Sequence, residues 1–286
     1  MFKNRLVRDL SWVISSPSLI SGTFKKVKWW DDKQCLSEFH ACLPALKELD
    51  NNPSPLVSHI AALKTKGLGH RFEALVYFWL KISPNYNLLA NNIQIIIEGQ
   101  TYGEIDFIIE EVQSKHIIHL EVAVKFYLGS APYNDPYRWF GTNLSDQLGK
   151  KVEHLKIKQT QLSLRHETFL KRMGYTIDER HCFLKGRLFY PISSNCSAEG
   201  TNKNHLRGRW AKDNTNDSNQ LYFALKKENW LANLKHDDIE ESFLITKPKV
   251  SKWPICYAQM RKDSSGNLSE VNRLFHLPST FEFPKN

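Results

Sequence analysis

The sequence predicts an α/β (α+β) fold: helices around a mixed central sheet. Three observations lead there. Apolar residues recur at helical spacing through GLGHRFEALVYFWLKIS, where Leu68, Phe72, Leu75, Val76 and Trp79 share one face. Three short runs rich in Ile and Val follow, bounded by polar or Gly-containing turns. A second periodic stretch and one more apolar run then complete the order helix, three strands, helix, strand.

Taken in chain order, the part before Gly67 predicts short helices over Leu6–Ser15 and Leu56–Leu63, joined by Pro-containing loops such as NNPSP. The helix from Leu68 ends at Pro84 and Asn85. The strand candidates are Ile93–Glu98, Gly103–Ile109 and Ile117–Tyr127. Leu144, Leu148, Val152, Leu155 and Leu162 form the stripe of a long helix over Leu144–Leu164. A further strand covers Cys182–Tyr190 and stops at Pro191. Ser193–Gln220, rich in Asn, Ser and Lys, predicts a surface loop. WPICYAQM, KDSSGN and LSEVNRLFHLP predict a hairpin. The expected organisation is a helical extension over 1–66, a core over 67–192, and a loop-rich extension over 193–286 carrying the hairpin.

Composition narrows the function classes. The chain has 286 residues with 41% hydrophobic content, enough for a sizeable core. Lys and Arg number 39 against 30 Asp and Glu, a net charge of +9, which favours polyanionic partners such as nucleic acid. Five cysteines, with no C-x-x-C pair, fit reduced thiols better than a disulfide framework or a zinc knuckle. No signal-peptide run and no membrane-length apolar run occur, so a cytoplasmic protein with no membrane partner is expected.

Charges stand where strands should bury apolar groups. By strand alternation Glu104, Asp106 and Ile108 share one face of GEIDFII. Glu121, Ala123, Lys125 and Tyr127 share one face of HLEVAVKFY. A hairpin turn centred between Gln113 and Ser114 sets Asp106 opposite Glu121, with their Cβ atoms about 5 Å apart. Two like charges there repel unless a cation or a shared proton lies between them. A slip of one residue would separate them, and a simply solvated face is the alternative. Beside them, Gln147, Lys151, His154, Lys158, Gln161 and Arg165 recur at spacings of 3 and 4 as a polar, basic helical stripe.

These residues resemble the PD-(D/E)XK nuclease superfamily, whose restriction-endonuclease-like core has the order αβββαβ. RDLSWVISSPSL, GHRFEALVYFWL, GEIDFII and HLEVAVKFYLG together resemble, over most of the chain, a bacterial family catalogued as domain of unknown function 1853. The superfamily resemblance implies a catalytic set of Glu73, Asp106, Glu121 and Lys125, with Asp106, Glu121 and Glu73 holding Mg²⁺ (or Mn²⁺). It implies hydrolysis of phosphodiesters in nucleic acid, with DNA favoured. The usual Glu-x-Lys is here Glu121-Val-Ala-Val-Lys125, so Ala123 occupies the lysine position and Lys125 stands about 6–7 Å further along the strand. Lys151 and Lys158 on the basic helix are candidate phosphate contacts. Arg207, Arg209 and Trp210 in HLRGRW are candidates for backbone contact and base stacking. The alternatives are a degenerate nuclease fold that binds nucleic acid without turnover, and a protein-interaction module.

Overall fold

The structure is a computed structural model, and it describes residues 2–24, 27–193, 198–212 and 220–285. In chain order the elements are α1 (Arg5–Ser15), β1 (Thr23–Phe24), β2 (Val27–Trp29), α2 (Asp32–Asn51), α3 (Ser54–Ala61), α4 (Leu68–Ile82), β3 (Tyr86–Ile97), β4 (Gln100–Glu111) and β5 (Ile117–Gly129). There follow β6 (Trp139–Phe140), α5 (Leu148–Ile157), α6 (Leu162–Arg165), α7 (Glu167–Arg172), β7 (Glu179–Pro191), β8 (Leu206–Ala211), β9 (Leu221–Ala224), β10 (Ile255–Lys262) and β11 (Leu268–His276). The fold is mixed α/β, and helix, three strands, helix and strand recur in the expected order as α4, β3, β4, β5, α5 and β7. Among the described residues no helix is long and apolar enough to cross a membrane.

The chain divides into two compact units that do not follow chain order. The first comprises 1–124, 150–185 and 200–204; the second comprises 125–149, 186–199 and 205–286. The strands β5 and β7 each begin in the first unit and end in the second.

In the first unit β3, β4 and β5 form an antiparallel meander, while β2 runs parallel to β7. Glu98 and Gly99, both with positive φ, make the tight two-residue turn from β3 to β4. The helix α4 buries Phe72, Leu75, Val76 and Trp79, the face its periodicity predicted, whereas Leu68 is only half-buried. Trp79 packs 5.3 Å from Trp30 and 5.2 Å from Phe183, ring centroid to centroid, so one aromatic cluster fixes this helix to β7. The α1 helix is capped by Asn4, whose Oδ1 accepts from the Leu6 N–H at 2.9 Å.

In the second unit the end of β7 runs parallel to β8, β8 runs parallel to β11, and β11, β10 and β9 continue antiparallel. The β10/β11 hairpin is the one the turn KDSSGN predicted. Gly186 has φ of +144°, and a Cβ there would lie 1.7 Å from the Lys125 carbonyl oxygen, so only glycine fits.

Three expectations change. A 20-residue helix, α2, occupies the N-terminal part where only short helices and loops were expected. The long helix over Leu144–Leu164 is broken: Leu144 has φ of +63°, and a 3₁₀ turn at Gln159–Gln161 separates α5 from α6. Side chains hold that break, for Thr160 donates to the Leu155 carbonyl at 2.8 Å and Arg165 to the Ile157 carbonyl at 2.9 Å. They take carbonyls that the next helical turn would otherwise use. Finally, Ser193–Gln220 is no continuous loop. Arg207, Arg209 and Trp210 lie on β8, between two strands; Ser194–Ser197 and Asp213–Asn219 of that stretch lie outside the described residues.

Candidate active site

The pairing of β4 with β5 runs Glu110 to Ile117, Ile109 to Ile118, Ile108 to His119 and Phe107 to Leu120. That register is the one the turn position predicted; the paired ladder ends at Phe107 and Leu120, one step short of Asp106 and Glu121. Both acids lie in the first unit. The Asp106 Oδ2 accepts the Val122 backbone N–H at 2.8 Å, which ties it across the strand pair. Glu121 is fully buried.

Each oxygen of Glu121 has its own partner. Oε1 is 2.7 Å from His119 Nε2, and Oε2 accepts from Gln159 Nε2 at 2.7 Å. His119 is buried too, and its Nδ1 lies 2.8 Å from the Ser163 hydroxyl on α6. Gln159 turns its Oε1 to the Lys151 ammonium at 2.9 Å and to His154 Nδ1 at 3.0 Å. This amide orientation satisfies both sides, because a carboxylate needs a donor and an ammonium needs an acceptor. The 3₁₀ turn that breaks the long helix thus returns Gln159 to the acids.

The electrostatics are dominated by burial. Burial, and next the charge of Glu121, push Asp106 up to about 8; the Val122 N–H works against them. Burial pushes Glu121 up to about 7, and the Lys151 ammonium offsets part of that rise. The pair therefore holds a proton close to neutral pH as a unit. Burial also pushes His119 down to about 3, so it is neutral and its contact with Glu121 is a hydrogen bond, despite ion-pair distance. With Glu121 ionised, His119 donates from Nε2 and accepts from Ser163 at Nδ1. With Glu121 protonated the same groups can bond in the opposite sense.

Glu73, on α4, forms a 3.6 Å contact with His70, and its own pKa is raised, chiefly by burial. Its charge is felt at Asp106, and Lys151 acts on Glu73, Asp106 and Glu121 alike. The acids therefore form one electrostatic group around one lysine. Among the described residues no group of three or more His, Cys, Asp or Glu side chains is arranged to hold a metal ion. Asp106 and Glu121 are the residues that could hold a hard divalent cation, which takes one or two carboxylates and keeps several waters; Asp106 Oδ2 and both oxygens of Glu121 already have hydrogen-bond partners. A cavity of about 680 Å³ opens onto Asp106 and is lined also by Glu104, His154, Lys158, Gln159 and Arg165.

The sequence pattern of the family described as Domain of unknown function (DUF1853) matches residues 8–277. The chain belongs to that family. No curated protein and no solved structure matches it.

In this DUF1853 chain the remaining candidates are placed differently. Lys125 lies in the second unit, where its ammonium is 2.6 Å from Asp146 Oδ2. Arg207, Arg209 and Trp210 also lie in the second unit. The Arg207 guanidinium stands 4.4 Å from the Tyr190 ring centroid, Arg209 donates to the Pro191 carbonyl at 3.3 Å, and the Trp210 indole N–H donates to the Gly129 carbonyl at 2.9 Å. Sequence reasoning missed His119, Gln159 and Ser163. His119 was signalled, since two-residue spacing puts it on the face of Glu121. Gln159 and Ser163 were not, because they reach the acids only through the broken helix.

Proposed function

We propose that this protein is a metal-dependent nuclease that hydrolyses phosphodiester bonds of nucleic acid, DNA foremost, on a restriction-endonuclease-like core. The observation that carries the reading is the Asp106–Glu121 pair: two adjacent carboxylates, one fully buried, with Lys151 as their shared cation. Asp106 and Glu121 would hold Mg²⁺ or Mn²⁺, with Glu73 close enough to add its charge. The bound ion supplies Lewis-acid polarisation of a phosphoryl oxygen and a water of lowered pKa. His119 fixes the orientation of Glu121 through Oε1 and keeps a proton path to Ser163. Lys151 stabilises negative charge that builds on the phosphate, the part the superfamily pattern gives to a lysine at the position of Ala123. Gln159 keeps that ammonium beside the acids.

The test is hydrolysis of DNA and RNA panels with Mg²⁺ or Mn²⁺. Asp106→Asn is expected to lower the rate by about 100-fold or more, and Lys151→Ala by a similar factor. Equal rates for wild type and Asp106→Asn, or no hydrolysis by either, defeat the reading. One observation favours a second reading, a nucleic-acid-binding protein without turnover: Lys125 is engaged by Asp146 at 2.6 Å. Salt-dependent binding with no cleavage under any metal would decide for it.

A further inference from the structure

The cavity at Asp106 has the make-up of a site for a single strand rather than a duplex. Its floor is buried or half-buried: Asp106, Gln159 and Leu162. Its rim is exposed: Tyr102, His154, Lys158 and Arg165. Glu121 is fully buried and accepts from the floor residue Gln159 at 2.7 Å. A phosphate must descend between the rim side chains to reach such carboxylates. The phosphates of a duplex are held on a stiff double helix, whose sharp bending costs several kcal/mol. A single strand has no such stiffness and can fold a phosphodiester inward.

The rim also offers what single strands use for affinity. Tyr102, the third residue of β4, is 45% exposed. Its ring stands 4.8 Å from that of His166, and its hydroxyl donates to Gln100 Oε1, at 3.3 Å, on its own strand. A ring so placed leaves a face for a nucleobase, and Lys158 and Arg165 stand beside it for the flanking phosphates. Aromatic platforms alternating with cations, and no base-edge readout, characterise single-strand binding. A cavity of about 680 Å³ has the volume for a short stretch of strand and not for a double helix.

We propose that this cavity binds single-stranded nucleic acid, with one base stacked on Tyr102 and the adjoining phosphodiester directed to Asp106 and Glu121. The proposal rests on the phosphodiester reading of that carboxylate pair.

The experiment uses the full chain and fluorescein-labelled oligonucleotides: one single-stranded DNA, the same sequence as RNA, and the perfect DNA duplex. Binding is read by anisotropy in Ca²⁺ across a salt series, and cleavage in Mg²⁺ or Mn²⁺. The expected result is binding of a single strand at least about 10-fold tighter than duplex, weakened about 5–100-fold by Tyr102→Ala. Lys158→Ala is expected to lower the salt slope by about one. A melting curve shows that each variant is folded, and Tyr102→Leu, which keeps bulk and loses the π face, should bind as weakly as Tyr102→Ala. Equal or tighter duplex binding, no binding of any strand, or unchanged binding by both Tyr102 variants overturns the proposal. Failure of hydrolysis is separate: selective single-strand binding without metal-dependent cleavage sinks the nuclease reading and leaves this one standing. Preferential cleavage of duplex does the reverse.

Discussion

At the residue scale, Asp106 and Glu121 are carboxyls whose burial makes their charge costly. A carboxyl whose folded pKa is raised holds its proton more tightly in the folded state. Its contribution is complete below the unfolded value and lost as pH rises through the folded one. For Asp106 that window runs from 3.8 to about 8, and for Glu121 from 4.5 to about 7. His119 has the opposite sign: its depressed pKa means stability lost as pH falls from 6.5 toward about 3. The two effects oppose each other below pH 6.5, so the loss from the acids is seen cleanly between about pH 6.5 and 8. The melting temperature is expected to fall over that range. Asp106→Asn keeps an oxygen for the Val122 N–H and removes the charge. It should flatten the fall and raise stability at pH 8 by about 2 kcal/mol, read by denaturant melts. A variant that melts like wild type at both pH values would contradict the buried-charge account. The pairing of these acids was legible in the sequence because two-residue alternation and a polar turn centre fix a register. Their hydrogen-bond partners were not, since Gln159 and Ser163 lie about 40 residues away along the chain.

At the element scale, helices are set by their ends as much as by their faces. Asn4→Ala removes the acceptor for the Leu6 N–H and should cost about 1 kcal/mol, measurable as a shift in the urea midpoint. Gly186→Ala should prevent β7 from forming, because a methyl group there meets the Lys125 carbonyl; loss of soluble, folded protein in circular dichroism is the expected outcome. The helices α1 and α3 were readable from their start and stop signals, and α4 from its periodicity. The helix α2 was hidden for a specific reason. Its buried face is Cys35, Glu38, Cys42, Leu46 and Leu49, a helical spacing interrupted by an acid and two thiols, and Pro44 sits inside it. Glu38 is accepted there because Ser83 and Asn85 donate to it. The opposite error arose at α5. An apolar stripe continues across the break, but periodicity cannot register that Thr160 and Arg165 cap carbonyls in mid-course.

At the scale of the whole molecule, the two units share the chain without dividing it. The first needs 150–185 and 200–204 as well as its N-terminal part. A chain ended after Val124 lacks α5, α6, α7 and β7, and is expected to be unfolded by circular dichroism even though it retains α1 to α4. The basic balance of +9 belongs to the full chain, so the proposed DNA or RNA affinity should fall steeply with salt in the intact protein. The sequence conveyed the order of elements but not this division. Local patterns report which residues form a strand; they do not report that one strand serves two cores.

Of the five boundaries between the units, two fall inside strands, at Val124/Lys125 in β5 and at Lys185/Gly186 in β7, and a third falls inside α5, at Gly149/Lys150. Modular proteins are recombined at flexible linkers, where few contacts cross. Here no single breakpoint in the gene separates the units: a piece with all of the first runs over 1–204 and carries part of the second, and a piece with all of the second begins at 125 and carries part of the first. Only a piece that keeps both units leaves neither with a severed fragment, and the family pattern, over 8–277, runs through both.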